Sequence, residues 1–289
     1  MNINSSIAER ARANEPLTAA ELDELASADI LSLGMLADEV RRARVGDAVT
    51  FVRVEDWAGL DGADQAGGAG QAGEVRLTTL NESLADAVAL VRNGRARAGA
   101  RRLTGFSLAD IIERGWGDLV DVLKQLKQAG LGAIVEAPLD RLDHAEAALQ
   151  ACQDAGLTVQ CLSIQKPNAE SRTPMLIQAR ALAARFPWLT TIAPLSREQS
   201  VAVPTTGYDD VRAVALARLA LPGVPNVQVD WAQYGPKLAQ VALTFGANDL
   251  DRVSTRDDDT LGRRRTSLED VTRNITAAGF QPRERSAQA

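Results

Sequence analysis

Strand and helix patterns alternate eight times along this chain of 289 residues, which predicts an α/β fold: a single-domain (β/α)8 TIM-type barrel with short N-terminal helices. Three observations carry that expectation. Short apolar runs rich in Val, Ile and Leu are separated by stretches with a helical period. Several of those helical stretches close on a glycine, the residue that most readily turns a chain out of a helix. The length suits one eight-unit barrel rather than several small domains. An open doubly wound sheet is the alternative.

The elements follow in order. Residues 1–30 read as one or two short helices, an extension before the barrel of residues 31–289, with Thr18 and Glu21 spaced as a capping box. LSLGMLADEVRRARVGD (31–47) is an amphipathic helix with Leu33, Leu36, Val40 and Val45 on one face, and AVTFVRV (48–54) is the first strand. The Ala- and Gly-rich stretch 58–73 has no apolar period and reads as a flexible loop. Strands are then expected at 74–80, 101–106, 132–138, 157–164, 188–195, 224–231 and 247–253. The helices between and after them fall at 83–94, closed by Gly94, then 117–130, 142–156, 173–186, 208–221, 235–246 and 266–279.

Composition removes several classes of function. A net charge of −6 argues against non-specific nucleic-acid binding, which depends on basic side chains displacing counterions. No apolar run reaches the length of a bilayer span, and the polar N-terminus lacks the apolar segment of a secretory signal, so the expected location is cytoplasmic. With aromatics at 4%, the core must rest on Leu, Val, Ile and Ala. Cys152 and Cys161 are the only cysteines and His144 the only histidine, too few for a cysteine-rich zinc site or a three-thiolate cluster. Both cysteines lie in apolar patterns that suit buried reduced thiols.

The last third carries a longer signature: Thr206-Gly207-Tyr208-Asp209-Asp210, Ala217-Arg218-Leu219, Gly235-Pro236-Lys237-Leu238-Ala239-Gln240 and Phe245-Gly246-Ala247-Asn248-Asp249-Leu250. In order and spacing these pieces resemble the C-terminal part of the radical SAM enzymes of futalosine-dependent menaquinone biosynthesis and deazaflavin (FO) synthesis. LGMLADEVRRARVGDAVTFV (33–52) and LVDVLKQLKQAGL (119–131) resemble earlier parts of the same barrel. The resemblance implies a TIM-type barrel. It also implies a CxxxCxxC motif after the first strand, where three thiolates hold an iron–sulfur cluster that binds SAM. Here that loop is AGLDGADQAGGAGQAG, without cysteine. Residues 136–139 read Glu-Ala-Pro-Leu where the family has a Gly-rich SAM contact, and Gln165-Lys166 stand where it has Gly-His. No iron–sulfur cofactor and no residual SAM binding are therefore expected.

Candidate ligand residues are those expected around the barrel mouth: Glu136, Asp140, Lys166, Asp230, Trp231, Asn248 and Asp249. Asp230-Trp231 pairs a carboxylate with a stacking surface that suits a purine, or is an indole packed over the mouth. The resemblance puts Asn248 and Asp249 near a nucleoside end of the pocket, although the same residues could shape a turn. It also puts Asp140 near the SAM pocket; alternatively Asp140 precedes a helix and favours its N-terminal dipole. His144 belongs to the first turn of that helix, exposed and without a metal role. The charge runs Asp257-Asp258-Asp259 and Arg263-Arg264-Arg265 read as a solvated loop.

The functional expectation is a degenerate radical-SAM-like barrel: a non-catalytic partner of an active radical SAM homologue, or of a second copy of itself, or a subunit binding a nucleoside-like molecule. The alternatives are acid–base chemistry at the mouth by Glu136, Lys166, Asp230 or Asp249, and a purely structural barrel.

Overall fold

A computed structural model describes residues 3–59, 73–166, 172–198, 201–202, 204–255 and 267–285. Most of the Ala- and Gly-rich loop and both charge runs lie outside the described residues.

Three helices precede the barrel: α1 (Ser5–Arg12), α2 (Ala19–Ala26) and α3 (Ile30–Val45). The capping box at α2 forms as expected, with the Glu21 amide donating to Thr18 Oγ1 and the Thr18 amide to the Glu21 carboxylate. Leu17, Leu22 and Leu25 are fully buried, so this extension joins the core.

The barrel follows as β1 (Ala48–Trp57), β2 (Glu74–Leu77), α4 (Leu84–Ala98), β3 (Arg102–Ser107), α5 (Leu108–Glu113), α6 (Leu119–Ala129), β4 (Ala133–Pro138), α7 (Ala145–Ala155), β5 (Thr158–Ile164) and α8 (Arg172–Arg185). It continues with β6 (Thr191–Ser196), α9 (Gly207–Ala220), β7 (Asn226–Asp230), α10 (Trp231–Leu243), β8 (Asp249–Ser254), α11 (Ser267–Ala277) and β9 (Gln281–Glu284). All pairings are parallel, and β2 through β8 run in sequence before β1 pairs with both β8 and β2. The barrel is closed, and the open sheet is excluded.

Three departures from the expected elements have physical reasons. Gly94 does not end α4; the helix runs on to Ala98. A Cβ at Gly94 would lie 3.0 Å from both Leu77 and Trp57, so the glycine serves close helix–strand packing. Trp231 begins α10 earlier than expected, but Gly235 (φ 74°) breaks the helix and Pro236 starts its second part, which preserves the expected start in substance. The ninth strand was not expected. QPRE is too short and polar for an alternating pattern, and it forms because β1 leaves an edge unoccupied. β9 pairs with β1 from Ala48 to Phe51, and β2 pairs with it only from Val54 to Trp57.

The layer between barrel and helices is built from Leu, Val, Ile and Ala, as the composition requires. The interior is different. TIM barrels ordinarily fill theirs with branched apolar side chains, but here it holds a polar network. Arg76 on β2 donates to Glu74 and, with both terminal nitrogens, to Asp251 on β8 (2.8 and 2.9 Å). Glu74 also accepts from Thr104 (2.6 Å) and from Gln160 on β5 (2.7 Å). The contacts from β2 to β5 and β8 cross the lumen.

Candidate functional site

At the C-terminal ends of the strands lies a cavity of about 280 Å³, the place where barrels of this type put their chemistry. Arg197, just past β6, dominates it. Its Nη1 donates to Asp230 at 2.9 Å, its Nε lies 3.3 Å from Glu136 Oε2, and its Nη2 reaches Gln228 at 3.2 Å. Arg252 on β8 extends the chain of charges, 2.7 Å from Asp56 and 3.5 Å from Asp230. Arg252 sits at a positive φ of 55° inside the strand. Gln165 donates to Glu136, and Asp230 caps α10 by accepting from the Gln233 amide.

Four buried polar atoms lining this cavity have no hydrogen-bond partner: Ser107 Oγ, Glu136 Oε2, Arg197 Nε and Arg252 Nε. Arg197 Nε and Glu136 Oε2 face each other across 3.3 Å as an ion pair, and all four atoms are shut off from solvent, so they belong to the packed wall of the cavity and not to its open surface. Among the described residues, no group of three or more His, Cys, Asp or Glu is arranged to hold a metal ion.

Of the expected site residues, the structure brings Glu136 and Asp230 together through Arg197. The others lie elsewhere. Asn248 and Asp249 stand at the start of β8, the end of the barrel opposite the mouth. There Asn248 Oδ1 accepts from Arg218 (2.6 Å) and from the Val227 amide (2.9 Å). Asp249 accepts from Thr50 (2.6 Å), Gln228 (2.8 Å) and, through both oxygens, Arg285 (2.7 and 2.9 Å). Their expected place at the mouth is corrected: a side chain at the first residues of a parallel strand faces the barrel's base. Asp140 does not precede a helix directly; it accepts from the Gln165 and Lys166 amides (2.9 and 2.7 Å) and ties down the loop after β5. Lys166 is exposed beyond the cavity wall, and Trp231 packs against the core instead of lining the cavity. His144 is exposed at the N-cap position of α7 and makes no capping bond.

The sequence reading counted none of Arg76, Arg197, Arg252 and Arg285 among the candidate ligand residues. A signal was present. Glu74 and Arg76, like Asp249 and Asp251, are charges two apart within strands, and period-two spacing sends both to one face.

Both cysteines are free and buried, Cys152 on α7 and Cys161 on β5, and burial pushes each thiol up to about 12.

Residues 180–289 match the model of the CofH/MqnC C-terminal region. Over that C-terminal part the chain is similar to the CofH/MqnC family. Among curated proteins it is 30% identical over 155 residues to 5-amino-6-(D-ribitylamino)uracil–L-tyrosine 4-hydroxyphenyl transferase of Archaeoglobus fulgidus, covering 45% of each. It is 46% identical over 57 residues to aminodeoxyfutalosine synthase of Thermus thermophilus, covering 20% of this chain and 15% of that enzyme. The matched stretches thus span less than half of either relative. Among solved structures, methylornithine synthase (PylB) superposes with a TM-score of 0.67 at 14% identity, over 97% of this chain and 98% of that one. At that identity the likeness shows the fold alone. The resemblance to the futalosine and deazaflavin enzymes stands over the matched residues. Among the described residues, no helix is long and apolar enough to cross a membrane.

Proposed function

We propose that this chain carries no iron–sulfur cluster and acts in the cytoplasm as a non-catalytic subunit. It binds a small polar, nucleoside-like molecule at the barrel mouth beside an active homologue. The observation that carries the reading is the cysteine inventory. A cluster of this kind needs three thiolates, and the loop after the first strand contains none. Cys152 and Cys161 are both almost wholly buried, on a helix and on a different strand, with their thiols held protonated. The residues present do not fit the cluster.

The mouth supports ligand binding without radical chemistry. Its lining includes Asp56, Ser107, Gln165 and Arg252, which together suit a molecule with both donors and acceptors, and Phe106 adds an apolar wall. Arg197 engages both Glu136 and Asp230, so neither carboxylate stands free as a base, while Lys166 and Asp249 lie outside the cavity. These placements weigh against the acid–base alternative.

The test is anaerobic reconstitution with iron and sulfide, followed by reductant and SAM. The expected result is a colourless protein that leaves SAM intact. A brown protein that cleaves SAM reductively would sink the reading. For the ligand, adenosine and related nucleosides should raise the melting midpoint of the wild type and lose that effect in Arg252→Gln.

A further inference from the structure

The mouth cavity has two chemically different sides. Every apolar side chain that lines it among the described residues comes from one arc of the barrel: Leu77 on β2, Leu80 just after it, Phe106 on β3 and Val135 on β4. The other arc, from β6 through β8 to β1, contributes only polar groups, among them Arg197, Asp230, Arg252 and Asp56.

One residue from each side is held in a backbone conformation that side chains rarely adopt. Among the described residues, the non-glycine positions with positive φ are Asn14, in the turn after α1, and Phe106 (φ 65°) and Arg252 (φ 55°), which both line the cavity. Asparagine visits this region readily because its short amide bonds locally, whereas a bulky ring does so at a cost. At Arg252 the strain has a visible result. Between Phe51 and Arg53 of β1 stands Val52 alone, and opposite it β8 offers both Asp251 and Arg252, so β8 carries one extra residue as a bulge. Regular alternation would send Arg252 to the face opposite Asp251. Instead both turn inward, Asp251 to Arg76 and Arg252 to Asp56 and Asp230. At Phe106 the strain falls on the one aromatic side chain that lines the cavity among the described residues. The residue is 6% exposed, so the packing around it holds the ring in place. Strained residues persist where their surroundings over-determine them, and they gather at ligand sites.

Resting on the nucleoside reading of the mouth, we propose that Phe106 is its base-stacking residue: the base lies on this ring along the β2–β4 arc, and the ribose hydroxyls face the charged groups of the β6–β1 arc. A base is flat, and stacking on an aromatic ring tolerates any base. Ribose hydroxyls donate and accept, which suits a wall where each acid stands beside an arginine. At about 280 Å³ the cavity lies just under the range of roughly 300–1,000 Å³ that takes drug-sized ligands, so it holds a single nucleoside.

The test is equilibrium dialysis of adenosine against the whole chain. Phe106→Leu, which keeps an apolar side chain but removes the ring, should bind adenosine about ten-fold more weakly. Phe106→Tyr, which keeps the ring, should bind close to the wild type. Equal adenosine binding by Phe106→Leu and the wild type would overturn the stacking role and leave the nucleoside reading in place. No adenosine binding by the wild type would overturn both. Should Phe106→Leu fail to fold, nuclear Overhauser measurements on the wild type with labelled phenylalanine decide the matter. Contacts from the Phe106 ring should reach the adenine ring protons. Contacts that reach only the ribose protons would reverse the orientation and overturn the proposal.

Discussion

At the mouth of this barrel, arginines alternate with carboxylates around an open cavity; at the base, arginines meet backbone carbonyls and an asparagine amide in packed surroundings. Arg197 and Arg252 each touch two acids and line the cavity. Arg218 touches no acid, yet all of its reach is taken up by Gly246, Pro225 and Asn248, which bind α9 to the start of β8. Charge at the mouth is arranged around a cavity. The base is arranged to hold strands and helices together. Between the two ends, the Glu74–Arg76–Asp251 group fills the lumen.

The largest expected effect comes from that middle layer. Arg76→Met leaves Glu74 and Asp251 buried without their cation and should cost about 3–5 kcal/mol in urea unfolding at neutral pH. A loss below 1 kcal/mol would show that the layer is not a closed ion-pair group. The same variant carries a pH signature. Burial opposes ionisation of Asp251, but Arg76 outweighs it and holds the carboxyl well below the usual carboxylate range. A depressed carboxyl contributes stability that is complete above its unfolded value of about 3.9 and is lost as pH falls toward the folded value. Wild-type stability should therefore drop between pH 5 and pH 2, and Arg76→Met should flatten that slope. An unchanged slope would assign the acid sensitivity elsewhere.

Next in size is Asn248→Ala at the base. It strands the Val227 amide and one nitrogen of Arg218, and should cost about 2 kcal/mol. The ligand response of the mouth should stay intact. A variant of normal stability with an altered nucleoside response would reverse the contrast between the two ends.

Arg252→Gln should be the opposite case. Its side chain is a third exposed, so the change should cost under about 1 kcal/mol while removing the ligand-induced shift. Smallest of all is the thiol response. Neither Cys152 nor Cys161 should react with a thiol reagent in the native state, and both should react on unfolding. Rapid labelling of the folded protein would contradict the burial on which the cluster argument rests.

Most of the fold was legible because hydrophobic period and glycine punctuation are local. The capping box at Thr18, the eight strand–helix units and the apolar helix faces need only neighbours along the chain. The site was half legible. Glu136 and Asp230 sit at strand ends, where a barrel's mouth must be, but Asn248 and Asp249 were placed at the wrong end of β8. The strand expected at 247–253 already has both residues at its start; it was the family resemblance, not the strand pattern, that put them in the pocket.

What the chain alone determined is its class of fold, its core composition and the absence of cysteine after the first strand, since each depends on residue type and spacing. Only the tertiary structure decided that Arg197 clamps two carboxylates, that Arg76 spans the lumen to Asp251, and that a ninth strand brings Arg285 to Asp249. These contacts join residues up to 175 positions apart, and no local pattern specifies which buried charge meets which. That choice is made by barrel closure, which brings β1, β2, β8 and β9 side by side and leaves each buried charge only the partners within reach.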